Sequence, residues 1–301
     1  MNDRDIRDIL ASHGPLTGKE LRDASRWEEL ALWRHCHSSP EILATIIGRR
    51  YLRLDRNVDG YARLSPSIKR EFLTYTVCGV NKDHKALAEK AHSLWLKTRE
   101  ISRTKLDFAR EAMTRILSSF PHQDMMEHVL FLIAGDIVYE MAHLEPRPEP
   151  STGRLVRGSD LDIIIIAEDS YPRELLEEFD KAVYQEKYLC LVRQDQREEI
   201  DYIIKDISKI RAQLAFDRFE HMVASKILWE SQKLLGSSRI FGQVKQMLKD
   251  NNIPEKIENM SNKAAGLRKR AEASLLKGEE KMSREESLKL FFTREEADEI
   301  F

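Results

Sequence analysis

Near the middle of the chain, Asp160-Leu161-Asp162 runs straight into four consecutive isoleucines, Ile163–Ile166. An unbroken β-branched run predicts a strand covered on both faces. Side chains alternate along a strand, so Asp160 and Asp162 share one face. Two like charges that close raise each other's pKa and weaken the sheet unless a cation or solvent intervenes. Gly158-Ser159-Asp160 is good turn chemistry, which reads the pair as solvated turn residues. Against this, Asp162 lies within reach of the apolar run, where a hydrated carboxylate has little room. Paired oxygens on one strand face suit a hard divalent ion such as Mg²⁺ or Mn²⁺. On spacing alone both readings stand.

The chain has 301 residues, a length that suggests about two domains. Its net charge is −2, so no global field points to nucleic acid, and a local basic patch would have to supply that affinity. Cys36, Cys78 and Cys190 are far apart, with no metal-ligand spacing, and read as reduced thiols. The opening MNDRDIRDIL has no signal-peptide core and no apolar run is long enough to span a bilayer. The expectation is a cytoplasmic chain without a membrane partner.

The pattern divides into four stretches: 1–80, 81–124, 125–207 and 208–301. In the first, Ile6, Ile9 and Leu10 keep helical spacing, Thr17 opens a second short helix, and Leu30 and Trp33 mark a third. An alternating hairpin over 51–64 follows, turning at Asp59-Gly60. Three helices and a hairpin resemble the winged-helix fold. Its presumed wing carries Arg49, Arg50, Arg53 and Arg56, which implies contact with a nucleic-acid backbone. The competing reading is a solvated basic edge strand that discourages aggregation. Residues 81–120 contain no proline or glycine and read as one long helix.

In the third stretch, strands are expected at HVLFLIAGD, DLDIIIIAED, YLCLVRQ and REEIDYIIKD. Helices are expected at DIVYEMAHL, opened by Asp136, and at YPRELLEEFDKAVYQE; the proline-rich EPRPEPSTGR reads as an irregular loop. From Ile207 onward the pattern reads as helical throughout, ending in a charged tail over 263–300. The fold class expected is α+β: a helix-rich chain with a small mixed sheet and a helical C-terminal region.

A third aspartate, Asp201 in EEIDYII, interrupts an apolar strand, which is costly unless it is paired or metal-bound. Three convergent carboxylates at a sheet edge suit a two-metal site. Here the sequence resembles the polymerase-beta-like nucleotidyltransferase superfamily, through SDLDIIII as its Asp-x-Asp element and EIDYII as its third acidic element. The likeness covers about residues 128–206. Two departures stand out: Asp136 replaces the usual serine after Gly135, and the interval from Gly135 to Gly153 is long.

What the resemblance implies is a metal-dependent enzyme that moves a nucleoside monophosphate from a nucleoside triphosphate, ATP among them, to an acceptor. The acceptor stays open between an RNA or tRNA end, a protein side chain and a small molecule, and prokaryotic members act in toxin or defence systems. Asp160, Asp162 and Asp201 would be the catalytic and metal-holding residues for two Mg²⁺ or Mn²⁺ ions. Gly135, Asp136, Gly153, Arg157, Ser159 and Lys226 would line the nucleotide. Lys226 reads equally well as a solvated helical lysine. The alternative function is a non-catalytic winged-helix regulator that senses a nucleotide. An interaction scaffold built on the long helix and charged tail is the third reading.

Overall fold

A computed structural model describes residues 6–120, 124–193, 196–277 and 283–293. The remainder of the expected charged tail lies outside the described residues. The chain is mixed α and β, and it divides into two compact units. The first comprises residues 1–53, 62–99 and 261–301; the second comprises 54–61 and 100–260.

In the first unit, α1 (Ile6–His13), β1 (Leu16–Thr17), α2 (Gly18–Ser25), α3 (Glu29–Ser38) and β2 (Ile42–Ile46) come in order. The hairpin β3 (Tyr51–Leu54) and β4 (Ala62–Ser65) follows, then α4 (Ile68–Tyr75) and β5 (Thr76–Val80). Thr17 opens α2 with a reciprocal capping box: its hydroxyl accepts from Glu20 N while Glu20 accepts from Thr17 N. Gly18 lets α2 close onto α4, because a Cβ there would sit 2.1 Å from the Phe72 carbonyl oxygen. The three-stranded sheet runs in the order β1-β5-β2, antiparallel throughout. Ile6, Leu10, Leu21, Leu32, Ile68 and Phe72 form its core.

Helix α5 (His84–Ser119) runs unbroken as its composition predicts. Its buried positions Ser102, Lys105, Ala109, Ala112, Met113 and Ile116 keep a 3–4 spacing. In the second unit it is followed by α6 (Met125–His128), β6 (Val129–Ile133), a five-residue 3₁₀ turn (Gly135–Tyr139), β7 (Pro146–Pro148) and β8 (Leu155–Arg157). Then come β9 (Leu161–Ala167), α7 (Arg173–Val192), β10 (Ile200–Asp206), α8 (Ile207–Gln213), α9 (Phe219–Glu230), β11 (Gln232–Gly236) and α10 (Ser238–Asp250). Helix α11 (Ile253–Leu276) and α12 (Arg284–Phe291) close the described chain.

The sheet order is β10-β9-β6-β11; β9 and β10 are parallel and the other pairs antiparallel. One face is apolar: Phe131, Ile133, Ile163, Ile165 and Ile200 pack on Ala109, Met113, Phe179 and Val183. Helix α7 thus serves as the crossover between two parallel strands, the connection such a pair needs.

Four local expectations are corrected. YLCLVRQ is not a strand: α7 continues to Val192, because Phe179, Val183 and Cys190 keep one helical face buried and no glycine or proline stops it. The expected helix after Asp136 is a single 3₁₀ turn. The proline-rich segment forms β7, paired with β8 in an isolated two-stranded ladder, which tolerates Pro146 and Pro148 because their missing N–H groups cost no sheet interior. The C-terminal stretch is not wholly helical, since β11 adds an edge strand beside β6.

Candidate functional site

Strand β9 carries Leu161, Ile163 and Ile165 into the apolar core, which turns Asp162, Ile164 and Ile166 to the opposite face. Strand β10 does the same with Ile200, Tyr202 and Ile204, leaving Asp201, Ile203 and Lys205 on the side of Asp162. The parallel register sets Asp201 directly opposite Asp162. Asp160 stands just before β9, and the Leu161 N–H donates to the Glu199 carbonyl at 2.9 Å. Asp160 therefore lies at the mouth of the same pair of strands.

Gly135 opens the turn just after β6, the neighbouring strand on the other side of β9. Its backbone takes the left-handed φ of +71°, and a Cβ there would lie 2.1 Å from Asp162 Oδ2. The Ala134 N–H donates to the Asp162 carbonyl at 2.9 Å. The absent side chain is thus what lets the Asp162 carboxylate sit against the end of β6. Asp136 accepts a hydrogen bond from the buried Ser159 hydroxyl at 2.9 Å. Ser159 Oγ also accepts from the His143 N–H at 3.2 Å. These bonds tie the turn after β6 to the turn before β9.

Counter-charges with no local signature along the chain complete the cluster. Arg147, from β7, puts a guanidinium nitrogen 2.7 Å from Glu199 Oε2 and 3.6 Å from Asp160 Oδ2. Its Nε donates to the Gly158 carbonyl at 3.1 Å. Burial pushes the Glu199 carboxyl up; Arg147 pulls it down, and the charges of Asp160 and Asp201 push it up again. Lys187, from α7, holds Asp201 Oδ1 at 2.9 Å. Beneath them the buried Lys105 ammonium bonds Glu198 Oε2 at 2.5 Å and the Arg157 carbonyl at 2.7 Å. Burial pushes the Lys105 pKa down while Glu198 pulls it up. This buried pair ties α5 to the segments that lead into β9 and β10.

Gly135, Asp136, Ser159, Asp160, Asp162 and Asp201 therefore gather at one end of the sheet. The remaining candidates occupy other positions. Gly153 lies at the tip of the β7–β8 hairpin with open space beside its Cα. The Arg157 side chain is exposed, and its backbone is what the fold uses. Lys226 is buried with its ammonium 2.5 Å from Glu230 Oε2 and 5.7 Å from the Tyr139 ring. In the first unit, Arg49 is exposed and Arg53 half-buried. Arg50 is committed inward: it bonds both oxygens of Glu71, at 2.5 and 2.6 Å, and Glu272 at 2.8 Å. Within the second unit, Arg56 pairs with Glu220 and lies over the Phe219 ring.

As they stand, no three His, Cys, Asp or Glu side chains among the described residues converge tightly enough to hold a metal ion. Asp160 and Asp201 are turned toward Arg147 and Lys187 instead. Two acidic residues nonetheless face each other in register, a third precedes them, and Gly135 abuts the Asp162 carboxylate, a placement that a divalent ion could use. Among the described residues, no helix is long and apolar enough to cross a membrane. Comparisons with family models, curated proteins and solved structures find nothing that matches the chain.

Proposed function

We propose that the second unit is a metal-dependent nucleotidyltransferase and that Asp160, Asp162 and Asp201 are its catalytic residues. The observation that carries the reading is the Asp162–Asp201 register across parallel strands, with Gly135 abutting the Asp162 carboxylate. Asp162 would hold Mg²⁺ or Mn²⁺ together with Asp160 and Asp201, once the last two leave their cationic partners. Such an ion, when bound, would neutralise triphosphate charge and lower the pKa of an attacking hydroxyl. In the reaction, the acceptor oxygen bonds to the α-phosphorus and the bond to the α,β-bridging oxygen breaks. Pyrophosphate leaves with that electron pair, and the hydroxyl proton departs by way of the half-exposed Asp201. The chain's own contribution is positioning and electrostatics, which explains a constellation of carboxylates without a nucleophilic Ser, Cys or His.

The first unit supports a winged-helix reading through its order α1-β1-α2-α3-β2 and its antiparallel β1-β5-β2 sheet. Arg49 and Arg53 would then be the residues offered to a nucleic-acid backbone, with Arg50 serving the fold. A nucleic-acid acceptor follows from that reading, as an RNA end or DNA. The non-catalytic sensor draws support from Arg147 and Lys187, which already neutralise Asp160 and Asp201. Incubating the protein with each of the four radiolabelled triphosphates, Mg²⁺ or Mn²⁺, and total RNA or total protein separates the two. Label on either acceptor, lost when EDTA is added, supports the enzyme; nucleotide binding with no transfer supports the sensor.

A further inference from the structure

We propose that Lys187 competes with a divalent cation for Asp201, so that the lysine is the replaceable counter-ion of the metal-free site. This rests on the metal reading above. Lys187 Nζ lies 2.9 Å from Asp201 Oδ1, with the lysine 28% and the aspartate 52% exposed. A solvated pair of this kind is weak, because water competes for both charges and the long side chain loses freedom on pairing.

The surroundings favour replacing it. Asp160, Asp162, Glu199 and Asp201 crowd the mouths of β9 and β10, with Arg147 between Glu199 and Asp160. One ammonium adds a single positive charge to this cluster, whereas a divalent ion adds two and bonds several oxygens at once. The two cations at the site differ in how easily they leave. Arg147 is 19% exposed and fastened by Gly158 O and Glu199, so it is a fixed part of the wall. Lys187 shares one face of α7 with Tyr184, one turn before it, which is 64% exposed. Its stem can swing along that open face into water without disturbing packed side chains.

The test is Mn²⁺ binding by the full chain at low ionic strength, read from the electron paramagnetic resonance of the free ion. Wild type, Lys187→Met, Asp201→Asn and the double variant are compared, with circular dichroism to check folding. Removing the lysine takes away both a competitor and a repelling charge, so Lys187→Met should bind Mn²⁺ about three- to tenfold more tightly. The gain should shrink as salt screens the pair and vanish in the Asp201→Asn background. A folded Lys187→Met that binds Mn²⁺ no more tightly than wild type overturns the competition while leaving the metal reading intact. If neither wild type nor Lys187→Met binds Mn²⁺, both fall together.

Discussion

Asp162 and Asp201 occupy opposed positions on the parallel strands β9 and β10, while a glycine, Gly135, closes on Asp162 from the turn after β6. A sheet gains nothing in stability from two like charges in register. The alternating burial of both strands forces the two residues onto one face, so any exchange that kept the core would keep them together. Their cost is offset by Arg147 and Lys187 at the rim and, in the function proposed, by a bound cation.

Gly135 offers a direct test of that geometry. Gly135→Ala would place a Cβ 2.1 Å from Asp162 Oδ2 at a backbone φ of +71°. The expected loss is about 1–3 kcal/mol of unfolding free energy from strain and displacement of the carboxylate. Mn²⁺ affinity should fall by more than tenfold in the same variant. Urea denaturation and ion titration on one preparation check both; a variant as stable and as tight as wild type would show that the close approach is not needed.

Lys205 predicts a pH dependence. It lies nine-tenths buried on the acidic face of β10, bonded to the neutral Gln213 Oε1 at 3.0 Å, and burial pushes its pKa from 10.5 down to about 8. Between those values the unfolded chain binds the more protons, so stability rises as pH climbs from about 8 toward 10.5. Lys205→Met should stabilise the protein by about 1–2 kcal/mol at pH 7 and flatten that rise. Part of the rise should persist, because burial also pushes Lys245 down to about 8. Thermal melts of both proteins across pH 7–10 measure it.

The first unit carries a four-membered ion network that separates folding from binding. Glu71 is buried and receives Arg50 on both oxygens, while Arg268 reaches it at 3.0 Å and Glu272 at 2.8 Å. Arg268→Met should cost about 2–4 kcal/mol by leaving a buried carboxylate short of charge. Arg50→Ala should destabilise in the same direction. Arg49→Ala with Arg53→Ala should leave the melting temperature nearly unchanged and flatten the salt dependence of nucleic-acid binding. An unaltered salt slope would show that those two arginines do not contact nucleic acid.

Much of the site was legible because it is written in local pattern. The isoleucine run declared β9, and an aspartate bracketed by Ile200 and Tyr202 declared the facing strand. Thr17 marked the start of α2, and the missing helix breakers marked α5. What was not legible comes from contacts distant in sequence. Arg147 reaches Asp160 and Glu199, and Lys187 reaches Asp201, by way of a hairpin and a crossover helix that no spacing rule joins to the strands. Lys226 looked available on its helix, yet Glu230 one turn later takes its ammonium. The end of α7 misled for another reason: Leu189-Cys190-Leu191-Val192 suits a buried strand or a buried helix, and only packing against Phe179 and Val183 decides.

The most direct test of nucleotidyl transfer is to measure Asp201→Asn for binding and chemistry on one preparation, with circular dichroism as the check on folding. Asp201 is the most exposed of the three carboxylates, and in the proposed reaction it receives the acceptor's proton, so its loss should harm transfer more than nucleotide holding. The account predicts nucleotide affinity within about tenfold of wild type, or ~1.4 kcal/mol, together with a loss of transfer by orders of magnitude. A folded Asp201→Asn that transfers at the wild-type rate would remove Asp201 from the site and contradict the account.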